Sequence, residues 1–375
     1  TRKTFLEAFA DMPGFKTTLQ GKTTSWLVWF MFIGVIPSLA GMGGLAGAVA
    51  EAGHMMIPQI SVQLWVLICC LGTWLILFGG SYHALERILL VMVLFFSCVT
   101  MYIAFSMQAT PYEVNVAQIY QGLSFDFPME HLALALAVFG FTGISYGEIM
   151  AYTYWCLEKG YAQDNQGDIQ KTKGWIKVMQ TDVWLTVLFI TIGTLPFFFL
   201  GSGVLYQDQE LQELLKSTSF WEIEIIDLLQ NMFALVLGSW AKWLFVLLAF
   251  FVLFSTLLSG TAAFTRTIAD YFISTGLILE RKDTRINLIK IIAFVVPFLS
   301  GLFYFILPNP ITLFIIAGVW AALGLPIVNI GALFLISKLD KELQPKAFTK
   351  IILWTSLAFQ VFMAFLLLLD NFQII

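Results

Sequence analysis

The sequence predicts an all-α integral membrane protein with about nine transmembrane helices, and three observations support this fold class. Hydrophobic residues make up 59% of the 375 residues, whereas charged residues make up only 12%. The apolar residues fall in nine stretches of about 20 or more, the length that crosses a bilayer core about 30 Å thick. Basic residues concentrate in alternate connections between these stretches, as expected when successive helices cross the membrane in opposite directions.

The nine predicted helices form one bundle over residues 25–369, and residues 1–375 form a single transmembrane domain. Each helix holds about 20 mostly apolar residues with few charges, which is enough for one crossing. The predicted bounds, in order along the chain, are 25–50, 60–82, 87–107, 132–157, 179–203, 238–268, 287–306, 311–336 and 347–369.

The distribution of lysine and arginine predicts the orientation. One set of alternate connections carries 18 of the 20 basic residues, and the opposite set holds only Lys216 and Lys242. Positive residues stay on the cytoplasmic side. We therefore expect a multi-pass protein of the plasma (inner) membrane, with residues 1–24 in the cytoplasm and the C-terminus outside.

Two longer connections then lie outside, at 108–131 and 204–237. The second is acidic, and its segment 221–233 has the pattern of an interfacial amphipathic helix. The net charge of −4, without a basic cluster, excludes nucleic acid as a partner and leaves membrane lipid as the surroundings of the bundle.

The fourth predicted helix contains the candidate functional site. Glu148 lies ten residues before Glu158, about 15 Å along a helix, and so about half a bilayer core from the nearest charge. Every other Asp, Glu, Lys or Arg is placed in a connection or near a membrane surface. A carboxylate at that depth costs at least about 2.5 kcal/mol, and such groups typically contact a substrate, an ion or a proton.

Glycines at 140, 143 and 147 interrupt the same helix, with hydroxyl groups between them. An unwound stretch in the membrane is tolerated where it lines a cavity or is buried in protein. We predict a break there, with Glu148 at the start of the second half-helix. The candidate metal ligands are Glu148, Ser145, Gly143, Thr142 and Tyr146, with Gly147 and Met150 as candidates for the pathway. Each functional role has a structural alternative. Met150 could serve in packing, the glycines could allow close helix packing, and Glu148 could be protonated and bonded to Tyr146 or to a neighbouring helix.

Two other helices contain helix-breaking residues. Pro37 and several glycines predict a kinked, tightly packed first helix. Gly324, Pro326 and Asn329 in the eighth helix predict either a pathway lining or a simple kink. The three histidines fall near helix ends, so a histidine proton relay at membrane depth has no candidate.

Several motifs resemble divergent bacterial members of the Nramp family of divalent metal transporters. The strongest is Tyr154-Trp-Cys-Leu-Glu-Lys-Gly-Tyr-Ala162, which follows Thr142-Gly143 and Glu148. Weaker matches are Arg2-Lys-Thr-Phe-Leu-Glu7, Asp11-Met-Pro-Gly14 and Phe254-Ser-Thr256. The resemblance implies a partial inverted-repeat bundle of the amino-acid/polyamine/cation type that transports a divalent metal ion by alternating access, with no enzyme activity and no resident cofactor.

The family plan implies that the nine helices correspond to the third to eleventh helices of its members. The chain would then lack the first two helices, including an Asp-Pro-Gly-Asn segment that supplies half of the metal site. The resemblance implies substrates of the manganese, magnesium and iron class. Ser145, Tyr146 and Gly147 stand where the family usually has Met-Pro-His, and the loss of these softer ligands shifts the expected preference toward ions that bind oxygen, such as magnesium, calcium or manganese. Proton coupling stays open. The alternatives are a carrier of a neutral or cationic organic solute and a non-transporting remnant.

Overall fold

The computed structural model describes residues 3–78, 82–124, 138–139, 145–163, 167–207, 213, 225–281 and 283–371. Helices dominate this part of the chain, as predicted. Their bounds, in chain order, are α1 Phe5–Ala10, α2 Trp26–Ile33, α3 Val35–Met56, α4 Val62–Phe78, α5 Tyr82–Met107, α6 Val116–Gly122, α7 Tyr146–Glu158, α8 Ile169–Leu200, α9 Ile225–Leu237, α10 Ala241–Ser274, α11 Thr284–Ile306, α12 Pro310–Ser337 and α13 Ala347–Asn371.

Seven spans in the described residues are long and apolar enough to cross a membrane. Their bounds are Trp26–Met56, Leu89–Met107, Ile169–Leu205, Ala241–Ser274, Thr284–Ile306, Pro310–Ser337 and Ala347–Leu366. The other two predicted helices correspond to α4, which has 17 residues, and α7, which has 13. Residues next to both lie outside the described part of the chain, so the count of nine stays a prediction.

The segment ahead of the first span contains structure that the sequence analysis did not predict. Thr4 caps α1 through a reciprocal capping box with Glu7. Strands β1 (Lys16–Leu19) and β2 (Lys22–Ser25) then form an antiparallel hairpin. Its two turn residues, Gln20 and Gly21, both have positive φ, as a type I′ hairpin turn requires.

An exposed ion pair closes the base of this segment. The Lys3 ammonium donates to Asp11 Oδ2 at 2.7 Å. This hydrogen bond lowers the pKa of Asp11 and raises the pKa of Lys3. Both side chains are about half exposed, so solvent screens the pair and it contributes little to stability.

The first predicted span is divided at Gly34 and not at Pro37, where the kink was expected. Helix α2 ends at Ile33, Gly34 caps it, and α3 begins at Val35. Pro37 lies in the first turn of α3, where its missing N–H group removes no helical hydrogen bond. The predicted tight packing is present further along, because a Cβ atom at Gly44 would lie 2.8 Å from the Pro310 carbonyl oxygen.

Two predicted helices extend further than expected. Helix α8 begins at Ile169 because Asp168 caps it, accepting from the Gln170 and Lys171 amides. It continues into a π-helical turn over Gly201–Leu205. Helix α10 continues to Ser274, six residues beyond its predicted end at 268. Asp270 is therefore a helical residue and does not lie in a connection.

The predicted amphipathic segment contains α9. Residues 221–224 lie outside the described part, and the helix runs over Ile225–Leu237. Met232 and Phe233 are fully buried, and the Phe233 ring packs edge-on against Phe245 of α10 at 4.8 Å. One face of α9 thus packs on the bundle, while its position at the membrane interface stays a prediction.

Candidate functional site

The candidate site lies at the start of α7, inside the predicted fourth span. Ser145 has an extended backbone (φ −75°, ψ 170°) and is the N-cap of this helix. Its Oγ accepts from the Gly147 amide at 3.3 Å and donates to Glu148 Oε2. The helix therefore begins at Tyr146, and Glu148 lies in its first turn, as predicted for a second half-helix. Residues 140–144 lie outside the described part, so Gly143 and Thr142 stay predictions.

The Glu148 carboxylate is open to its surroundings. Its side chain is exposed, and among the described residues the atom nearest to a Cβ added at the neighbouring Gly147 is Ser145 Oγ, at 3.6 Å. The positive end of the helix dipole favours a negative charge in the first turn. The carboxyl group of Glu148 thus lies where the helix dipole favours an acidic side chain.

Tyr146 lies on the other side of the helix from Glu148, because residues two apart are about 200° apart around a helix axis. The tyrosine is buried, and its hydroxyl lies 3.4 Å from Ser38 Oγ of α3. A Cβ atom at Gly34 would lie 2.8 Å from the same hydroxyl, and one at Gly324 would lie 2.8 Å from the ring. Tyr146 therefore anchors α7 between the α2–α3 break and α12.

Met150 also belongs to the buried side of α7. Its sulfur accepts a hydrogen bond from the Tyr271 hydroxyl of α10 at 3.8 Å. The surrounding apolar cluster includes Phe9 of α1, Met31 of α2 and Leu325 of α12. This environment supports the packing alternative for Met150.

The two predicted pathway residues of α12, Gly324 and Asn329, contact different parts of the structure. Gly324 lies against Tyr146 and so belongs to the site's supporting wall. The Asn329 amide instead donates to the Leu353 carbonyl and to Gln360 Oε1 of α13, both at 3.3 Å. Helix α12 runs unbroken across Pro326. A pathway role for Asn329 stays a prediction.

Asp270 is the functional candidate that the sequence analysis missed. Its carboxylate is fully buried, which corrects the expectation that Glu148 alone lies away from a surface or connection. It accepts hydrogen bonds from Thr4 Oγ1 at 2.6 Å and from the Tyr154 hydroxyl at 2.8 Å, and it pairs with Arg285. We call these four residues the Asp270 network. It joins the amino-terminal segment, α7, α10 and α11.

A second contact fixes the same end of α7. Arg266 of α10 donates from its guanidinium to both carboxylate oxygens of Glu158, a geometry that favours Arg–carboxylate recognition. The guanidinium carbon also lies 4.7 Å from the centre of the Trp155 ring, within cation–π range. Helix α7, which begins at the candidate site, is thus fixed to α10 at its far end.

The described residues form an apolar bundle with seven membrane-length spans, and the shorter helix α7 begins within a predicted span and presents a carboxylate there. This architecture is that of a membrane transporter. The comparison with protein families agrees. The model of the Nramp family, described as natural resistance-associated macrophage protein-like, matches residues 15–370. The chain therefore belongs to the Nramp family, whose members transport divalent metal cations and are not enzymes. The search of curated proteins yields no match to the chain.

Proposed function

We propose that this protein transports divalent cations of the manganese, magnesium and iron class, and that the start of α7 supplies part of the ion site. The observation that carries the proposal is the Ser145-capped start of α7 with the exposed Glu148 carboxylate beside it. Family membership supports metal transport in general, and the ligands at this position support the choice of ion.

The ligand chemistry at this position favours ions that prefer oxygen. Ser145 offers a hydroxyl oxygen, and Glu148 offers a carboxylate that the hydroxyl already contacts. Oxygen ligands suit magnesium, calcium and manganese, whereas soft sulfur ligands select other metals. The thioether of Met150 is buried and bonded to Tyr271, so oxygen is the donor type on the exposed side among the described residues at the start of α7.

We further propose alternating access, with the Asp270 network on the cytoplasmic side of a membrane-embedded site. The apolar cluster around Met150 and the Arg266–Glu158 pair cover the same half of α7. Release of an ion toward this side requires that α7 separate from α1 and α10. The network supports the description of this structure as a state closed at the cytoplasmic end.

The decisive experiment measures Mn²⁺ and Mg²⁺ uptake into proteoliposomes that contain the purified protein. Glu148→Gln should reduce uptake at least about tenfold, because a neutral amide loses the charge that attracts a cation. The matched control is Glu342→Gln, which removes an exposed carboxylate that pairs with Lys173. Uptake by Glu148→Gln at the wild-type rate would remove Glu148 from the ion site.

A further inference from the structure

A cavity of about 490 Å³ opens at the end of the bundle away from the Asp270 network. It is lined by the last turns of α3 and by Phe245 and Ala249 of α10, whereas Asp270 lies near the other end of that helix. Most of its wall is apolar. Glu51 and His54 of α3 line the cavity, together with Tyr304 of α11. We call it the Glu51–His54 cavity.

The two polar residues share one face of α3. Residues three apart on a helix are neighbours, with Cβ atoms about 5–6 Å apart. Glu51 accepts a hydrogen bond from the Tyr304 hydroxyl at 3.2 Å, which orients its carboxylate. The carboxylate and the imidazole therefore face a common space.

The hydrogen bond of His54 determines which ring nitrogen can act as a ligand. Nδ1 lies 2.7 Å from the Ile60 carbonyl oxygen. A carbonyl oxygen can only accept, so Nδ1 carries the proton and donates. In the neutral ring the lone pair is then on Nε2. Metal-binding histidines typically show this arrangement, with the second nitrogen donating to a backbone carbonyl or a carboxylate.

We propose that the Glu51–His54 cavity binds a divalent transition-metal ion through Glu51 and His54 Nε2. Glu-x-x-His pairs on single helices supply metal ligands in the cores of di-iron helical bundles, together with glutamates of other helices. One imidazole and one carboxylate favour manganese, iron, cobalt or zinc over magnesium and calcium. Gln63 lines the same space and adds an amide oxygen.

The inference rests on the proposed function for its role in transport. On the proposed orientation, the carboxyl-terminal end of α3 faces the outside, so this site would meet the ion before the α7 site does. Two protein ligands leave most of the coordination to water, and a site of that kind exchanges its ion readily. The cavity thus recruits transition metals toward an inner site whose ligands are oxygen.

The test is a titration of four purified proteins with Co²⁺. Calorimetry and the visible absorption of the bound ion measure the binding. The proteins are the wild type, Glu148→Gln, His54→Asn and the double variant. Asparagine at position 54 keeps a donor near the position of Nδ1 and removes Nε2, so the bond to Ile60 is retained. We expect two sites in the wild type, one in each single variant and none in the double variant.

Each site is tested by its own variant, so the two proposals fail separately. If His54→Asn binds Co²⁺ with the stoichiometry, affinity and spectrum of the wild type, the cavity site is wrong. If Glu148→Gln binds Co²⁺ with the wild-type stoichiometry, affinity and spectrum, the proposal of the α7 site is wrong and the proposal of the cavity site is unaffected. Glu51→Gln should weaken the cavity site at least about tenfold. Glu113→Gln, which removes a carboxylate that does not line the cavity, should leave the affinity unchanged.

Discussion

Replacing Asp270 with asparagine tests whether the Asp270 network holds the amino-terminal segment on the bundle. The substitution keeps the size of the side chain and an acceptor for Thr4 or Tyr154, and it removes the charge that pairs with Arg285. Removing one partner of a buried ion pair costs about 3–5 kcal/mol, because the other charge is left without compensation. Arg285 is 34% exposed and can reach water, so we expect a loss near the lower value, about 3 kcal/mol.

The loss converts into a measurable change in melting temperature. An unfolding entropy of about 2.1 cal/mol/K per residue gives roughly 0.8 kcal/mol/K for this chain length. A loss of about 3 kcal/mol then lowers the melting temperature by about 4 °C. Scanning fluorimetry of the purified protein in one detergent measures this difference directly.

The matched control is Asp11→Asn, which removes the exposed carboxylate that pairs with Lys3. Because solvent already screens that pair, its melting temperature should stay within about 1 °C of the wild type. The same small change in Asp270→Asn would refute the network as a stabilising contact. Thr4→Ala should also lower the melting temperature, and its effect should largely vanish in the Asp270→Asn background, because both changes break one network.

Three further changes probe the support of α7. Gly324→Ala should destabilise the protein by about 1–3 kcal/mol, because the added methyl group would lie 2.8 Å from the Tyr146 ring; a melting temperature at or above the wild-type value would contradict that packing. Ser145→Ala should cost about 1 kcal/mol for the lost N-cap and should raise the Mn²⁺ concentration at half-maximal uptake, so an unchanged concentration would argue against Ser145 as a ligand. Arg266→Gln should lower the melting temperature and speed proteolysis near Glu158, and equal cleavage rates would show that this pair does not hold the helix.

The start of α7 could be predicted from the sequence because its signals are local. Closely spaced glycines lower helix stability, and Ser145 is a residue type that caps helices. Glu148 three positions later places an acid in the first turn, where the helix dipole favours it. These preferences act within a few residues, so they are readable without knowledge of the tertiary structure.

The Asp270 network could not be predicted in the same way. Asp270 lies 266 residues from Thr4 and 116 residues from Tyr154, so the sequence next to it carries no sign of either partner. The one local sign is Arg285, 15 residues further on, across the connection between two apolar helices. Ending the predicted helix at 268 placed the carboxylate in a connection and hid its burial.

Two local features were missed, and the sequence carried a signal for the first of them. Threonines flank Gln20-Gly21 on both sides, and β-branched residues around a glycine-containing pair are typical of a short hairpin. The break at Gly34 was assigned to Pro37 instead. A proline in the first turn of a helix is harmless. The actual break at Gly34 packs against Trp320 and Tyr146, and no local pattern reveals those contacts.

The bond between Thr4 and Asp270 also constrains the order in which the chain is assembled. Thr4 precedes its acceptor by 266 residues, so Asp270 is synthesised only after most of the described helices. The neighbouring Phe5 amide finds an earlier acceptor, Thr153, at 3.2 Å. The amino-terminal segment can therefore pack on α2 and α7 first, and the Asp270 network is completed only after translation has passed residue 285.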